Sequence, residues 1–146
     1  MLCENATMGA VQVQHYLARA RDFLKAMELL KEDLIEFKCS SALLGIHGAL
    51  SYCDALRMGL GSHRLSSDDH KTAAADLRKM LAARKFGNLQ GVDRLSKLLT
   101  EKSEIAYAPR NVSEKSVLEI IQQARRFALW AEATGKQLKI EGWQDA

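Results

Sequence analysis

Apolar residues recur at alternating steps of three and four along the first quarter of the chain, and this spacing places them on one face of a helix. The charged residues between them fall on the opposite face. The apolar positions are Val13, Tyr16, Ala20, Phe23, Met27, Leu30, Leu34 and Phe37. The pattern predicts one amphipathic helix over about residues 9–37, long enough to span a whole domain.

The second predicted helix, over about residues 40–60, carries small residues among its leucines and Ile46. Small side chains at Ser41, Gly45 and Ala49 would let another helix approach closely. We therefore expect a tight helix contact on this face, at Gly48 in particular, and expect dimerisation to use faces of this kind. Glycines at the end of the segment can take the left-handed conformation that terminates helices.

Two shorter helices follow. Ser66 is placed to cap the third, and the acidic residues just after it favour the positive end of the helix dipole. The apolar line of this helix fades at the basic pair at residues 84–85, and a fourth helix covers about residues 89–102. Residues 106–111 then form a loop that contains Pro109, the single proline of the chain.

A fifth helix begins after Ser113, a capping residue with Val112 and Val117 placed as a hydrophobic staple around it. We expect it to end at Gly135. No segment alternates apolar and polar residues for long enough to predict a strand. The prediction is an all-α fold, a single-domain up-and-down bundle of four to five helices, with its core at about 9–135 and a C-terminal tail at 136–146.

Composition places the chain among ordinary globular proteins. Its 146 residues are 47% hydrophobic and 27% charged, which is neither the composition of a disordered chain nor that of a membrane protein. The three cysteines are widely spaced, and the first residues do not resemble a signal peptide, so we expect a cytoplasmic protein without membrane association. A net charge of +3 permits a locally basic surface without requiring nucleic acid as a partner.

A polar stripe runs along the second predicted helix. His47, Ser51 and Asp54 share one side of it, at the border of the apolar face. One interpretation is a polar pocket within the chain or between subunits, to which Asp69 would also contribute. The other is a set of structural hydrogen bonds, for example between Asp54 and an arginine of a neighbouring helix, since unpaired polar groups in a core cost about 1–3 kcal/mol.

Arg64 and His70 flank the expected start of the third helix. At this separation the imidazole could take a proton from an RNA 2′-hydroxyl while the guanidinium stabilises charge on the phosphate. The alternative is a capped helix start with a solvent-facing arginine. The spacing alone is weak evidence, because Arg57 and His63 repeat it.

Other chemistry finds little support in the sequence. Potential ligands for a metal ion do not recur at helical metal-site spacings, and Gly-rich phosphate loops, nucleophile elbows and aromatic platforms for bases are not apparent. We therefore predict neither a metal nor a cofactor. Lys115, Arg125 and Arg126 would form either a basic patch on the fifth helix or a solvated face.

Three segments together resemble the HEPN superfamily of prokaryotic helical domains. They are SSALLGIHGALSYCDAL at residues 40–56, HRLSSDDHKTAAADL at 63–77 and YAPRNVSEKSVLEIIQQARRFALWAE at 107–132. The first helix also fits, so nearly the whole chain is covered. The strongest element is the loop with Tyr107, Arg110 and Asn111, which leads into a last helix of Ala-Arg-Arg-Phe-Ala-x-Trp type.

The resemblance implies a bundle of four or five helices, usually a homodimer, often encoded beside a nucleotidyltransferase in toxin–antitoxin pairs. Catalytic members are metal-independent ribonucleases with an arginine and a histidine separated by four to six residues near the start of the last core helix. Counted from Arg110, the histidine positions hold Lys115, Ser116 and Val117. The usual active site is thus incomplete, and ribonuclease activity does not carry over with the resemblance.

From these observations we expect a HEPN-like module for nucleotide- or RNA-linked binding of the toxin–antitoxin type. Its partners would be a second copy of the chain and a protein of the nucleotidyltransferase type, with Tyr107, Arg110 and Asn111 as a binding loop. Two alternatives stay open: a metal-independent endoribonuclease that uses Arg64 and His70, and a purely structural dimerisation module.

Overall fold

The computed structural model describes residues 7–62, 70–107 and 112–143, with the backbone alone for His70, Lys71 and Tyr107. These parts of the chain form a single all-α domain of five helices without a strand, which confirms the predicted fold class. The helices are α1 (Met8–Lys31), α2 (Leu34–Gly59), α3 (His70–Ala83), α4 (Gln90–Tyr107) and α5 (Glu114–Gln137).

The chain turns a corner where the apolar pattern predicted one continuous helix. α1 ends at Lys31, and Asp33 caps α2 by accepting a hydrogen bond from the Glu36 backbone N–H at 3.3 Å. The apolar spacing continues through this corner and so conceals it. Phe37, expected in the core, lies at a kink with φ −117° and is 39% exposed. The prediction of a single helix over residues 9–37 was wrong at this corner.

α2 packs closely on α1 along its small residues. A Cβ atom at Gly48 would lie 2.0 Å from Leu24 Cδ2, and one at Gly45 would lie 2.8 Å from Met27 Sδ. The Ser41 hydroxyl donates to the Met27 carbonyl at 3.0 Å. The expected tight contact is therefore present, and it joins two helices of the same chain rather than two subunits.

The ends of the later helices follow from local capping and from packing. Ser113 accepts a hydrogen bond from the Ser116 N–H at 3.0 Å, and Val112 and Val117 on either side of it are buried, as predicted. α4 continues to Tyr107, so the loop expected from residue 106 begins later. The predicted cap Ser66 and the proline at position 109 lie outside the described residues.

Residues 138–143, the described part of the chain after α5, pack back onto the bundle. α5 passes through Gly135, where we expected it to end, because Gly135 is a contact point: a Cβ there would lie 2.0 Å from the Trp143 ring. Ile140 packs in the same way against Gly59, and Gly142 approaches the Ala10 carbonyl with a positive φ of 90°. Among the described helices, none has the length and apolar character needed to cross a membrane.

Candidate functional site

The predicted polar stripe lies on the edge of α2 that borders α1. The His47 ring is half-buried, with its centroid 6.0 Å from that of Phe23 on α1. Ser51 is buried, and Asp54 lies further along the same edge with 25% of its side chain exposed. The structure therefore brings His47, Ser51 and Asp54 to one helix edge, as the spacing predicted.

Asp54 belongs to a small charged cluster centred on Arg57. The Arg57 side chain is only 12% exposed, and its guanidinium donates from Nη1 to Asp54 Oδ1 at 3.5 Å and from Nε to Asp76 Oδ2 at 2.8 Å. The arginine that donates this bond to Asp54 is thus on its own helix, while Arg19 of the neighbouring α1 attracts the same carboxylate electrostatically. Because Asp76 is on α3, Arg57 also ties α2 to α3.

Burial raises the pKa of the Asp54 carboxyl to about 6, although attraction to Arg57 and Arg19 works in the opposite direction. The 3.5 Å bond from Arg57 is too long to offset the lost hydration. Asp54 can therefore accept a proton near neutral pH. Burial also raises the pKa of the adjacent Cys53 thiol, which is fully enclosed and so stays protonated and unreactive.

Most of the remaining predicted site residues cannot be placed. Arg64, Asp69, Arg110 and Asn111 lie outside the described residues. His70 begins α3 and Tyr107 ends α4, with the backbone alone described for each. The convergence of Arg64 and His70 that a ribonuclease requires stays a prediction, and so does the binding loop.

A polar network that the sequence did not reveal joins three helices around Glu132 of α5. Arg21 of α1 donates two hydrogen bonds of 2.8 Å to the Glu132 carboxylate, and the Tyr52 hydroxyl of α2 donates a third of 2.8 Å. Burial alone would raise the pKa of Glu132, but the bonds from Arg21 and Tyr52 outweigh it and hold the pKa below its usual value. The members of this network, Arg21, Tyr52 and Glu132, are too far apart in sequence for any spacing rule to connect them.

The Trp143 side chain approaches the same carboxylate. Its indole N–H is buried and falls short of a hydrogen bond to any described residue, yet its proximity helps to lower the pKa of Glu132. A second ion pair between α1 and α5 joins Glu28 to Arg125. These contacts fix the position of α5, and we assign them a structural role.

An open groove of about 440 Å³ lies between α4 and α5, and we call it the basic groove. Arg94 of α4 and Arg126 of α5 line it beside the ring of Trp130. Its other described lining residues are apolar or neutral, and no aspartate or glutamate is among them: Phe86, Asn88, Gln90, Gly91, Leu129, Ala133, Thr134 and Gln137.

The charge of the two groove arginines is not neutralised within the described residues. The four arginines found in ion pairs there are Arg21, Arg57, Arg78 and Arg125. Neither Arg94 nor Arg126 has such a pair. The groove thus holds two cationic side chains that can form charge-assisted bonds to an anion.

Two other surface grooves lack this combination. The groove at the opposite end of α4 and α5 contains Glu101 and Glu119 beside Lys97. Burial and the nearby Glu104 and Glu119 raise the pKa of Glu101, as expected where carboxylates crowd together. The described residues that line the groove between the start of α1 and the end of α2 are uncharged.

The basic groove bears on two interpretations of the sequence. No aromatic platform was predicted, yet Trp130 lies in the groove beside the arginines. Of the two alternatives for Lys115, Arg125 and Arg126, a single basic patch is not formed, because Arg125 is paired with Glu28 of α1 while Arg126 lines the groove. The sequence does contain one sign of this groove: Arg126 and Trp130 are four residues apart, which places them on one face of the helix.

Within the described ranges, His, Cys, Asp and Glu side chains do not gather in groups of three that could hold a metal ion. In comparisons with known proteins, the chain matched no family model, no curated protein and no solved structure.

Proposed function

We propose that this protein is a HEPN-like helical module that binds RNA or nucleotides in the basic groove. The observation that carries the proposal is the presence of Arg94 and Arg126 in one groove, where no acidic side chain among the described residues neutralises them. Arginines in surface ion pairs are already satisfied, whereas these two can bind an anion without first breaking an existing pair.

Phosphate is the anion that best fits the groove. Guanidinium groups bind phosphate oxygens through paired hydrogen bonds, and two of them on facing helices can hold one phosphate or two successive ones. The groove also opens beside the first turn of α4, where Gln90 and Gly91 line it. The partial positive charge of a helix N-terminus adds to the attraction for an anion there.

The wider biological setting rests on the sequence resemblance. That resemblance supports a homodimer and a nucleotidyltransferase-type partner as parts of the same proposal. The small residues of α2 do not support the dimer, because α1 of the same chain covers Gly48. The surface through which two copies would meet must therefore be elsewhere, and sedimentation of the full chain tests whether such a dimer forms.

The binding proposal is tested with a fluorescently labelled single-stranded RNA oligonucleotide, titrated by anisotropy at several salt concentrations. The double variant Arg94→Gln/Arg126→Gln should bind much more weakly than the wild type. For this double variant, the slope of log K against log salt should be shallower by about 1.4. Each phosphate contact to a single strand contributes about 0.7 to the slope, and the variant removes two such contacts.

The matched control is Lys79→Gln/Lys115→Gln, which removes the same net charge from exposed positions on α3 and α5. It should retain most of the affinity. Equal losses in both double variants would mean that diffuse charge and not the groove attracts RNA. Absence of binding by the wild type would refute the proposal.

A further inference from the structure

Trp130 is held in one orientation by contacts on several sides. Its indole N–H donates to the Asn88 carbonyl at 3.0 Å, and its ring centroid lies 5.5 Å from that of Phe127. The ring packs so closely over Gly91 that a Cβ atom there would lie 2.0 Å from it. Because the N–H is already used, the part of the indole that faces the groove offers apolar ring surface and no hydrogen-bond donor.

The surroundings of Trp130 extend this apolar surface. Leu129, 72% exposed, lines the same groove, and so do Phe86 and Ala133. A site for an isolated phosphate would gain nothing from exposed apolar side chains beside its arginines. A ligand with an aromatic part and an anionic part would use both features of the groove.

We infer that Trp130 stacks against an unpaired nucleobase while Arg94 and Arg126 bind its phosphate, so that the ligand is single-stranded RNA or a free nucleotide. This inference rests on the proposed function and narrows it. The volume of about 440 Å³ is within the range of about 300–1,000 Å³ typical of small-molecule pockets. The bases of a duplex are paired and stacked on each other, and therefore cannot reach the indole.

Neutral amides complete the proposed base site. The Gln90 and Gln137 side chains line the groove, and their amides can both donate and accept hydrogen bonds at a base edge. Stacking on an aromatic ring tolerates any base, so we expect modest preference among sequences and a strong preference for unpaired strands.

The experiment compares three labelled probes of equal length on the full chain: a single-stranded oligoadenylate, the same strand in a duplex, and an abasic ribose-phosphate strand. We expect the wild type to bind the oligoadenylate about 5- to 150-fold more tightly than the abasic strand, which is the effect of about 1–3 kcal/mol per stacked base. The duplex should also bind more weakly than the single strand.

Variants at Trp130 separate stacking from a structural effect. Trp130→Leu should lose the preference for the oligoadenylate over the abasic strand. Trp130→Phe keeps an aromatic face and should retain most of the preference. A collapsed groove would instead weaken all three probes together. If Trp130→Leu fails to fold, the comparison of probes on the wild type still decides the inference.

Equal affinity of the wild type for all three probes would overturn the inference and leave the proposed function intact, since phosphate binding would remain. Failure to bind any of the probes would refute both.

Discussion

Replacing Asp54 by asparagine should make the protein more stable at neutral pH. Asp54 is largely withdrawn from water, yet its one described hydrogen bond, from Arg57, is 3.5 Å long. Arg57 keeps its shorter bond of 2.8 Å to Asp76 in the variant, so the substitution does not leave an unpaired guanidinium. An asparagine side chain can accept the weak bond from Arg57 without the cost of burying a charge.

The size of the effect follows from the pKa of Asp54, which burial raises from 3.8 to about 6. A rise of about two pKa units corresponds to at most about 3 kcal/mol, at about 1.4 kcal/mol per unit. Above pH 6 the carboxylate is charged in both the folded and unfolded states, and the folded state bears the full cost. Well below a pH of 3.8 both states are protonated, and the cost is gone.

The sign is therefore opposite to that of a salt-bridged carboxylate. Between about pH 4 and 6 the folded state binds more protons than the unfolded state, so this group makes the protein less stable as pH rises. Asp54→Asn should raise the free energy of unfolding at pH 7.5 by about 1–3 kcal/mol. Its advantage over the wild type should shrink steadily below pH 6 and approach zero only below a pH of 3.8.

The assay is urea denaturation followed by circular dichroism at closely spaced pH values. Asp76→Asn is the matched control, since it removes the same charge from the same arginine but weakens the short 2.8 Å charge-assisted bond by making its acceptor neutral. It should give no gain in stability. Reduced stability of Asp54→Asn at pH 7.5, or a difference from the wild type that does not vary between pH 4 and 7, would refute the reasoning.

Three further substitutions test packing, the interior network and capping. Gly48→Leu should lower the free energy of unfolding by at least about 1–3 kcal/mol through overpacking, as measured by urea denaturation. The control Gly87→Leu should lower it far less, because Gly87 faces open space. Glu132→Gln should cost about 1–3 kcal/mol at pH 7 by leaving Arg21 without its ionic partner. This cost should shrink as pH falls below 4.5. The pKa of Glu132 is lowered in the folded state, so its carboxylate stabilises the fold at higher pH and loses this effect as it becomes protonated. Ser113→Ala should lower the thermal unfolding midpoint by an amount equivalent to about 1 kcal/mol, and an unchanged midpoint would contradict the cap.

Local rules accounted for what the sequence predicted correctly. The cap at Ser113 and its staple depend on residues within a few positions of each other, and both are present. The apolar line of the first helix correctly placed Val13, Ala20 and Met27 in the core. The corner near Asp33 escaped prediction because an apolar period of three and four records which residues are buried, and it does not record whether the helix axis has changed direction.

The site was harder to predict because its residues are brought together by packing between helices. Arg94 belongs to α4 and Arg126 to α5, and sequence spacing cannot show that they line one groove. The contact between Trp130 and Gly91 is similarly invisible, since a glycine inside a helix gives no indication of the side chain that covers it. Asp54 was found because its companions share one helix, but its partner Arg57 was not identified.

The segment Ala-Arg-Arg-Phe-Ala-x-Trp of α5 explains how one short stretch can serve both the fold and the proposed site. Successive helical residues are about 100° apart, so neighbouring side chains point in different directions. Arg125 pairs with Glu28 of α1, Phe127 is fully buried in the core, and Arg126 and Trp130 line the basic groove. Because Arg125 and Phe127 fix the rotation of α5, they also fix the direction in which Arg126 and Trp130 point. Loss of the pair with Glu28 should therefore weaken ligand binding through orientation, without removing any group that contacts the ligand.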